Sequence, residues 1–394
     1  MTTATTTPWS TLGYLVYKRT YSRRLDESDI NSRTEEFDET VERVIKSASS
    51  QLKVGFTAQE EDRLRGYLLG LKGSVAGRFW WQMGTATVDR LGLSSLQNCA
   101  FTTVDDPVRP FTWAMDMLML GSGVGYNIQR KNVEKLPSVN ASFSGPTRVD
   151  SDDADYIVPD SREGWVKLLG KTLKAAFLSE KNPTFTYSTK LIRGKGALIK
   201  GFGGVASGPE DLCWGITQIS KVLEKRAGKK VRPIDMLDVM NIIGAVVVAG
   251  NVRRSAQIAI GDADDVEYLL AKRWDLGNIP SWRAMSNNSV VCDDISDLHE
   301  FFWDGYEGKG EPYGLINLKL SRKVGRLGET QYPDPDVQGY NPCAEQSLAN
   351  YETCCLAEVF LPNISTRDEF LDVCQLLYRI NKHSLMLPCH HEET

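Results

Sequence analysis

The sequence predicts an α/β protein that opens with a helical region, and three observations lead there. Apolar residues recur at helical spacing through the first ninety positions. From Cys99 onward, short apolar runs alternate with helix-like segments and glycine turns, which separates an α/β chain from a string of independent helices. The chain has 394 residues, 41% hydrophobic and 25% charged, enough to bury a large core over two or three domain-sized units.

In order along the chain, residues 1–90 form the predicted N-terminal helical region. Glu35 to Ala48 places Phe37, Val41, Val44 and Ile45 on one helical face. Thr57 and Glu60 offer a capping box ahead of Leu64, Tyr67 and Leu68. Residues 91–394 form the α/β part. Within it, Ser144 to Arg162 is a loop rich in aspartate, and Val231 to Val248 is an apolar helix with Pro233 in its first turn. Asp297 caps a helix start, and Ser321 to Tyr340, with Pro333 and Pro335, is a polar excursion. Asp368 to Leu387 is an amphipathic helix, expected to pack on the α/β part, and the residues after it read as a polar tail.

A net charge of −5 argues against general nucleic-acid or membrane-surface binding, because both need dense positive charge. Lys221 to Lys230 is the nearest approach to a basic patch and reads as a helix face with its C-terminal turn. The first ten residues lack a basic segment followed by an apolar core, and no apolar run is long enough to span a bilayer. Eight cysteines without a secretory signal then predict a reducing, cytoplasmic location, where a disulfide is transient chemistry. Zinc competes for the cysteines and histidines, but there is no CxxC pair. Cys389-His390-His391 is a single crowded cluster, so no metal site is expected.

The strongest local signal is Asn341-Pro-Cys-Ala-Glu345, followed by Tyr351-Glu-Thr-Cys354-Cys355. Pro342 fixes one φ angle and favours a turn that holds an amide, a thiol and a carboxylate together. On residue types alone, a loop with a small buried cysteine explains the tripeptide as well.

The run from Asn341 to Asn363 resembles the finger-loop signature of ribonucleotide reductases, in which Asn-Pro-Cys-x-Glu is followed by a second cysteine eleven positions after the first. Cys354 stands at that position and Cys355 is an extra neighbour. Ser95-Leu-Gln-Asn-Cys99, followed by Gly121-Ser-Gly-Val-Gly125-Tyr-Asn127, resembles the family's upstream redox cysteine before a glycine-rich turn. Gly203 to Pro209 resembles a GGxxSGP turn, Ala249 to Ala256 the loop coupling effector to substrate, and Ser286 to Ser289 a strand lining the substrate pocket. Arg19-Thr-Tyr-Ser-Arg23 and the helix after it look like the monomeric adenosylcobalamin-dependent (class II) ribonucleoside-triphosphate reductases.

The resemblance implies the first half of a ten-stranded α/β barrel, with effector and substrate loops over residues 195–260 and a finger loop over residues 338–356. It implies a thiyl at Cys343 that abstracts the ribose 3′ hydrogen, Glu345 as general base for the 3′-hydroxyl, and Asn341 orienting the hydroxyls. Cys99 and Cys354 would supply two electrons and end as a disulfide, with Cys355 as the alternative partner. Cys213, Cys292 and Cys374 read as buried core thiols. Substrate contacts fall on Asn98, Gly123, Gly125, Asn287 and Asn288, and effector contacts on Gly204, Ser207, Arg253 and Arg254. Glycines let a backbone approach a nucleotide closely, although a tight turn without ligand explains each motif singly.

The implied cofactor is adenosylcobalamin, with a metal-containing subunit or a glycyl radical as the other radical sources. No Asp-x-His-x-x-Gly motif occurs, and base-on cobalamin binding needs none. The implied partners are a ribonucleoside triphosphate, a deoxynucleotide effector and a thioredoxin-like dithiol reductant. Relatives continue well past the second redox cysteine, so a complementary C-terminal polypeptide is also expected. The other reading is a catalytically idle nucleotide-binding or assembly subunit that keeps the constellation without the reaction.

Overall fold

The computed structural model describes residues 9–26, 29, 31–179, 183–197, 199, 205–249, 256–277, 279–312, 314–326 and 328–394. Three helices, Thr11–Thr20, Phe37–Ser50 and Ala58–Leu69, open the chain. Phe37–Ser50 buries Phe37, Val41, Val44, Ile45 and Ala48, the stripe its sequence draws. The capping box at Thr57 forms in both directions: its hydroxyl accepts from Glu60 N at 3.2 Å, and Glu60 Oε2 accepts from Thr57 N at 2.8 Å.

The last long helix, Arg367–Ser384, completes this first core rather than packing on the α/β part. Val373, Leu376, Leu377 and Ile380 join Val44, Leu64, Leu68 and Phe79 in one cluster. Ion pairs Arg63–Asp372 (2.7 Å) and Arg379–Glu60 (2.6 Å), with a third between Lys72 and Glu369, fix it there. Strand Gly73–Val75 pairs antiparallel with Ala357–Val359 beside it. Amphipathicity shows that a helix has a buried face but not which surface it meets, and here the charge pairs select the N-terminal helices.

The α/β part is built on a six-stranded sheet. Five strands run parallel in the order Cys99–Thr103, Gly123–Asn127, Gln257–Asp262, Asn287–Val291 and Gly314–Ile316. Thr353–Cys354 lies antiparallel on the outer edge of the first. Among the described residues no sheet closes on itself. The first two strands are buried along their whole length, as expected of a parallel sheet covered on both faces.

Side-chain alternation divides the faces. Ala100, Val124, Tyr126, Ala259 and Val290 meet helices Arg109–Met119, Arg162–Phe177, Glu210–Glu224 and Pro233–Val248. Phe101, Ile258 and Ile260 point the other way, to Val337 and Leu348. The excursion between the second and third strands carries its own small parallel sheet, Thr147–Arg148, Thr186–Ser188 and Tyr156–Ile157. The aspartates of that segment are used: Asp150 and Asp155 accept from the backbone N–H of Thr189 (2.6 Å) and Thr186 (2.7 Å). The cap near residue 297 belongs to His299, whose ring nitrogen accepts from Phe301 N at 3.2 Å ahead of helix Glu300–Asp304.

Candidate active site

The finger is a hairpin, Gly339–Tyr340 paired with Ser347–Leu348, lying over the first two parallel strands. Asn127 Nδ2 donates to Gln338 O at 2.9 Å, and Thr103 N donates to Asn350 Oδ1 at 2.8 Å. The two glycines beneath it are there for close approach. A Cβ on Gly125 would lie 1.9 Å from Tyr340 O, and one on Gly123 2.8 Å from Pro342 Cγ. Their lack of a side chain is therefore accounted for by the finger itself.

Asn341 organises the tip. Its backbone N–H donates to Gln346 O at 3.1 Å, its Oδ1 accepts from Gln346 N at 3.0 Å, and its carbonyl accepts from Ala344 N at 2.9 Å. Pro342 sets the turn, and Ala344 takes a left-handed φ of 62° that closes it. Asn341 Nδ2 then donates to Glu345 Oε1 at 2.6 Å and lies 3.7 Å from Cys354 Sγ. Asn341 is fully buried, whereas Cys343 and Glu345 are exposed at the tip.

Antiparallel pairing sets Cys354 directly opposite Cys99, and all the cysteines are free thiols. The Cys99 thiol is held below its ordinary pKa, first by the hydrogen bond with Cys354 and also by Asn341, against the opposing effect of burial. That same hydrogen bond, together with burial, holds Cys354 up as the protonated partner. Cys343 is raised by partial burial and by the nearby Glu345 carboxylate. Cys355 points to the other side of its strand, among the residues packed on the first core, 3.8 Å from Ser384 Oγ. The choice between the two adjacent cysteines is thus one of register.

The remaining residues singled out in the sequence fall in several places. Asn98 is half-buried beside the thiol pair, and its Oδ1 accepts from Leu356 N at 3.2 Å. Asn287 is exposed and pairs in register with Ile258, on the finger side of the sheet. Asn288 alternates to the helix side, where its Oδ1 accepts from the Ser286 hydroxyl at 3.0 Å, so it is not brought to the finger. Ser207 lines a cleft of about 300 Å³ with Arg90, Asp160, Arg162, Trp165 and Arg193. Gly204, Arg253 and Arg254 lie outside the described residues.

Sequence reading missed two features. Arg78 is buried, donates to Leu120 O behind the Cys99 strand, and has its pKa pushed down to about 10 by burial. The cleft side chains Arg162 and Trp165 sit on a helix that the sequence marks with its Ser161 cap, which accepts from Gly164 N at 3.0 Å, and with the stripe Leu168, Leu169, Leu173 and Ala176.

Five parallel strands, with a finger that sets one exposed thiol and a carboxylate above a facing thiol pair, define an α/β protein with a cluster of three cysteines at one site. Family models agree in finer terms. Residues 1–85 match the ribonucleotide reductase alpha domain, and residues 131–223 match the insertion domain of B12-dependent ribonucleotide reductase. Adenosylcobalamin-dependent ribonucleoside-triphosphate reductases from Lacticaseibacillus paracasei and Lactobacillus leichmannii are 37% and 36% identical, each over 89% of this chain and 54% of the relative. A crystal structure of a B12-dependent (class II) ribonucleotide reductase superposes with a TM-score of 0.81 at 31% identity, over 98% of this chain and 60% of that one. The chain is thus similar in sequence and fold to class II, B12-dependent ribonucleotide reductases, and it spans about half the length of the curated relatives it matches.

Proposed function

We propose that this chain carries the radical and redox thiols of a ribonucleoside-triphosphate reductase, completed by a C-terminal polypeptide. The observation that carries the reading is the arrangement of Cys343, Glu345 and Asn341 above the register-paired Cys99 and Cys354. The net reaction consumes a ribonucleotide and two thiols and yields a 2′-deoxyribonucleotide, water and one disulfide.

Cys343 is the exposed thiol, so it reaches a substrate lying on the finger tip. As a thiyl it takes the 3′ hydrogen and returns it at the end. Glu345 accepts the 3′-hydroxyl proton while its other contact, Asn341 Nδ2, keeps the carboxylate in place. Loss of the 2′-hydroxyl as water needs a proton, and Cys354 is the thiol held protonated. Closing the Cys99–Cys354 disulfide supplies the two electrons, and a thioredoxin-like dithiol restores the pair. Adenosylcobalamin, when bound, supplies the one-electron oxidation that makes the thiyl. An exposed Cys343 thiol fits that role, and base-on cobalamin would need no protein histidine. Asn98 and Asn287 are the substrate contacts of this reading, whereas Gly123 and Gly125 serve it by seating the finger. The cleft at Ser207, with its arginines and Trp165, suits a deoxynucleotide effector. The free cysteines suit a reducing cytoplasm, and no described helix is long and apolar enough to cross a membrane.

The test is deoxynucleotide formation from ribonucleoside triphosphates by the chain combined with a class II C-terminal half, with and without adenosylcobalamin. Cobalamin-dependent product is expected. Full activity without cobalamin, given a diiron partner, would overturn the class II reading. A complex that binds nucleotide but never turns over would favour the idle-subunit reading.

A further inference from the structure

The residues after the last helix are a bonded strap. Cys389 bridges antiparallel to Gly92, Leu93 N donates to Pro388 O at 3.0 Å, and Trp113 Nε1 donates to Thr394 Oγ1 at 3.1 Å. Gly92 is required there, because a Cβ would lie 1.9 Å from Pro388 O and its φ is +54°. The strap carries two of the chain's four histidines to one buried carboxylate, Asp116, on helix Arg109–Met119. His390 Nε2 lies 2.6 Å and His391 Nε2 2.8 Å from the same oxygen, Asp116 Oδ2.

We propose that Asp116, His390 and His391 form a binding site for a borderline divalent transition ion, with Zn²⁺ as the physiological class. Each residue offers one donor atom, and the three donors lie within 4.8 Å of one another. Tetrahedral bonds of about 2.0–2.1 Å put donors roughly 3.3 Å apart, so an ion entering between them moves each imidazole nitrogen outward from Asp116 Oδ2 by only about half an ångström or slightly more. In the ligated form each ring carries its proton on Nδ1. Two imidazoles and a single carboxylate select Zn²⁺ or Co²⁺ over Mg²⁺ and Ca²⁺, which want oxygen donors. Arg162 pairs with the opposite oxygen, Asp116 Oδ1, and is itself balanced by Glu163 at 2.7 Å. It therefore orients the ligating carboxylate without occupying Oδ2, although its Nη1 also lies 3.5 Å from His390 Nε2 and must draw back when an ion binds there. A cavity of about 290 Å³, lined by Cys389 and His390, lies beside the site. The other two histidines are engaged elsewhere, His299 as a helix cap and His383 within 3.0 Å of Leu52 O.

The test titrates the metal-free full chain with Co²⁺ and follows visible d–d absorption, then displaces it with Zn²⁺. One equivalent is expected to bind, and His390→Gln and His391→Gln should each weaken binding at least tenfold, while His299→Gln changes nothing. X-ray absorption of Zn²⁺ on the wild-type chain, which needs no variant to fold, should show two imidazole ligands. Absence of saturable binding, unchanged binding in both strap variants, or fewer than two imidazoles would each overturn the site.

Discussion

At the scale of residues, the proposed chemistry is divided among three sulfurs by where each one points. Cys343→Ala should leave the fold intact, since the side chain is exposed, and should lower deoxynucleotide formation by the reconstituted enzyme on the order of a thousandfold or more. After one turnover without external reductant, peptide mapping should find Cys99 joined to Cys354. A Cys99–Cys355 bridge would mean that the strand had slipped by one residue, because neighbours on a strand face opposite sides. The finger motif was readable through its resemblance to a family signature, and its closing bonds are local, within the six residues Asn341 to Gln346. The choice between Cys354 and Cys355 was not, because it depends on pairing with a strand far upstream. That Asn288 faces the helices was not legible for a similar reason: which way a strand residue faces is settled by its neighbours in the sheet.

At the scale of elements, the finger is seated by what its supporting strands lack. Gly125→Ala puts a methyl group against the Tyr340 carbonyl, and backbone cannot swing aside as a side chain would. A loss of about 1–3 kcal/mol in chemical unfolding is expected, with activity down about a hundredfold as the tip shifts. The helices were largely legible: Pro233–Val248 and Arg367–Ser384 lie within three residues of the expected spans. The partner of the second was not legible, because it depends on ion pairs with residues near the other end of the chain. The N-terminal helices also carry a pH-sensitive lock. Glu35 is buried and accepts from Arg43 Nε at 2.7 Å; burial raises its pKa, but the bonds to Arg43 prevail and leave it lowered. A carboxylate lowered in the folded state stabilises above its ordinary range, and that contribution is lost as pH falls below it. Urea midpoints should therefore drop on acidification, and Arg43→Ala should flatten that slope and cost about 3 kcal/mol near neutrality.

At the scale of the whole molecule, the parallel sheet presents Gly314–Ile316 as an edge with half-exposed Leu315. Light scattering of the chain alone should show self-association, and addition of a class II C-terminal half should restore a single 1:1 species. A monodisperse 394-residue monomer that reduces ribonucleotides unaided would contradict this. The shared first core has a further consequence, for synthesis. Arg63 and Asp372, which bond across that core, are separated by 309 residues. At ribosomal speeds of about 5–20 residues per second, the N-terminal helices wait roughly 15–60 s for the helix that covers them. During that interval the side of the cluster that Val373, Leu376, Leu377 and Ile380 cover is open to water, so the earliest part of the chain to emerge is among the last to be finished.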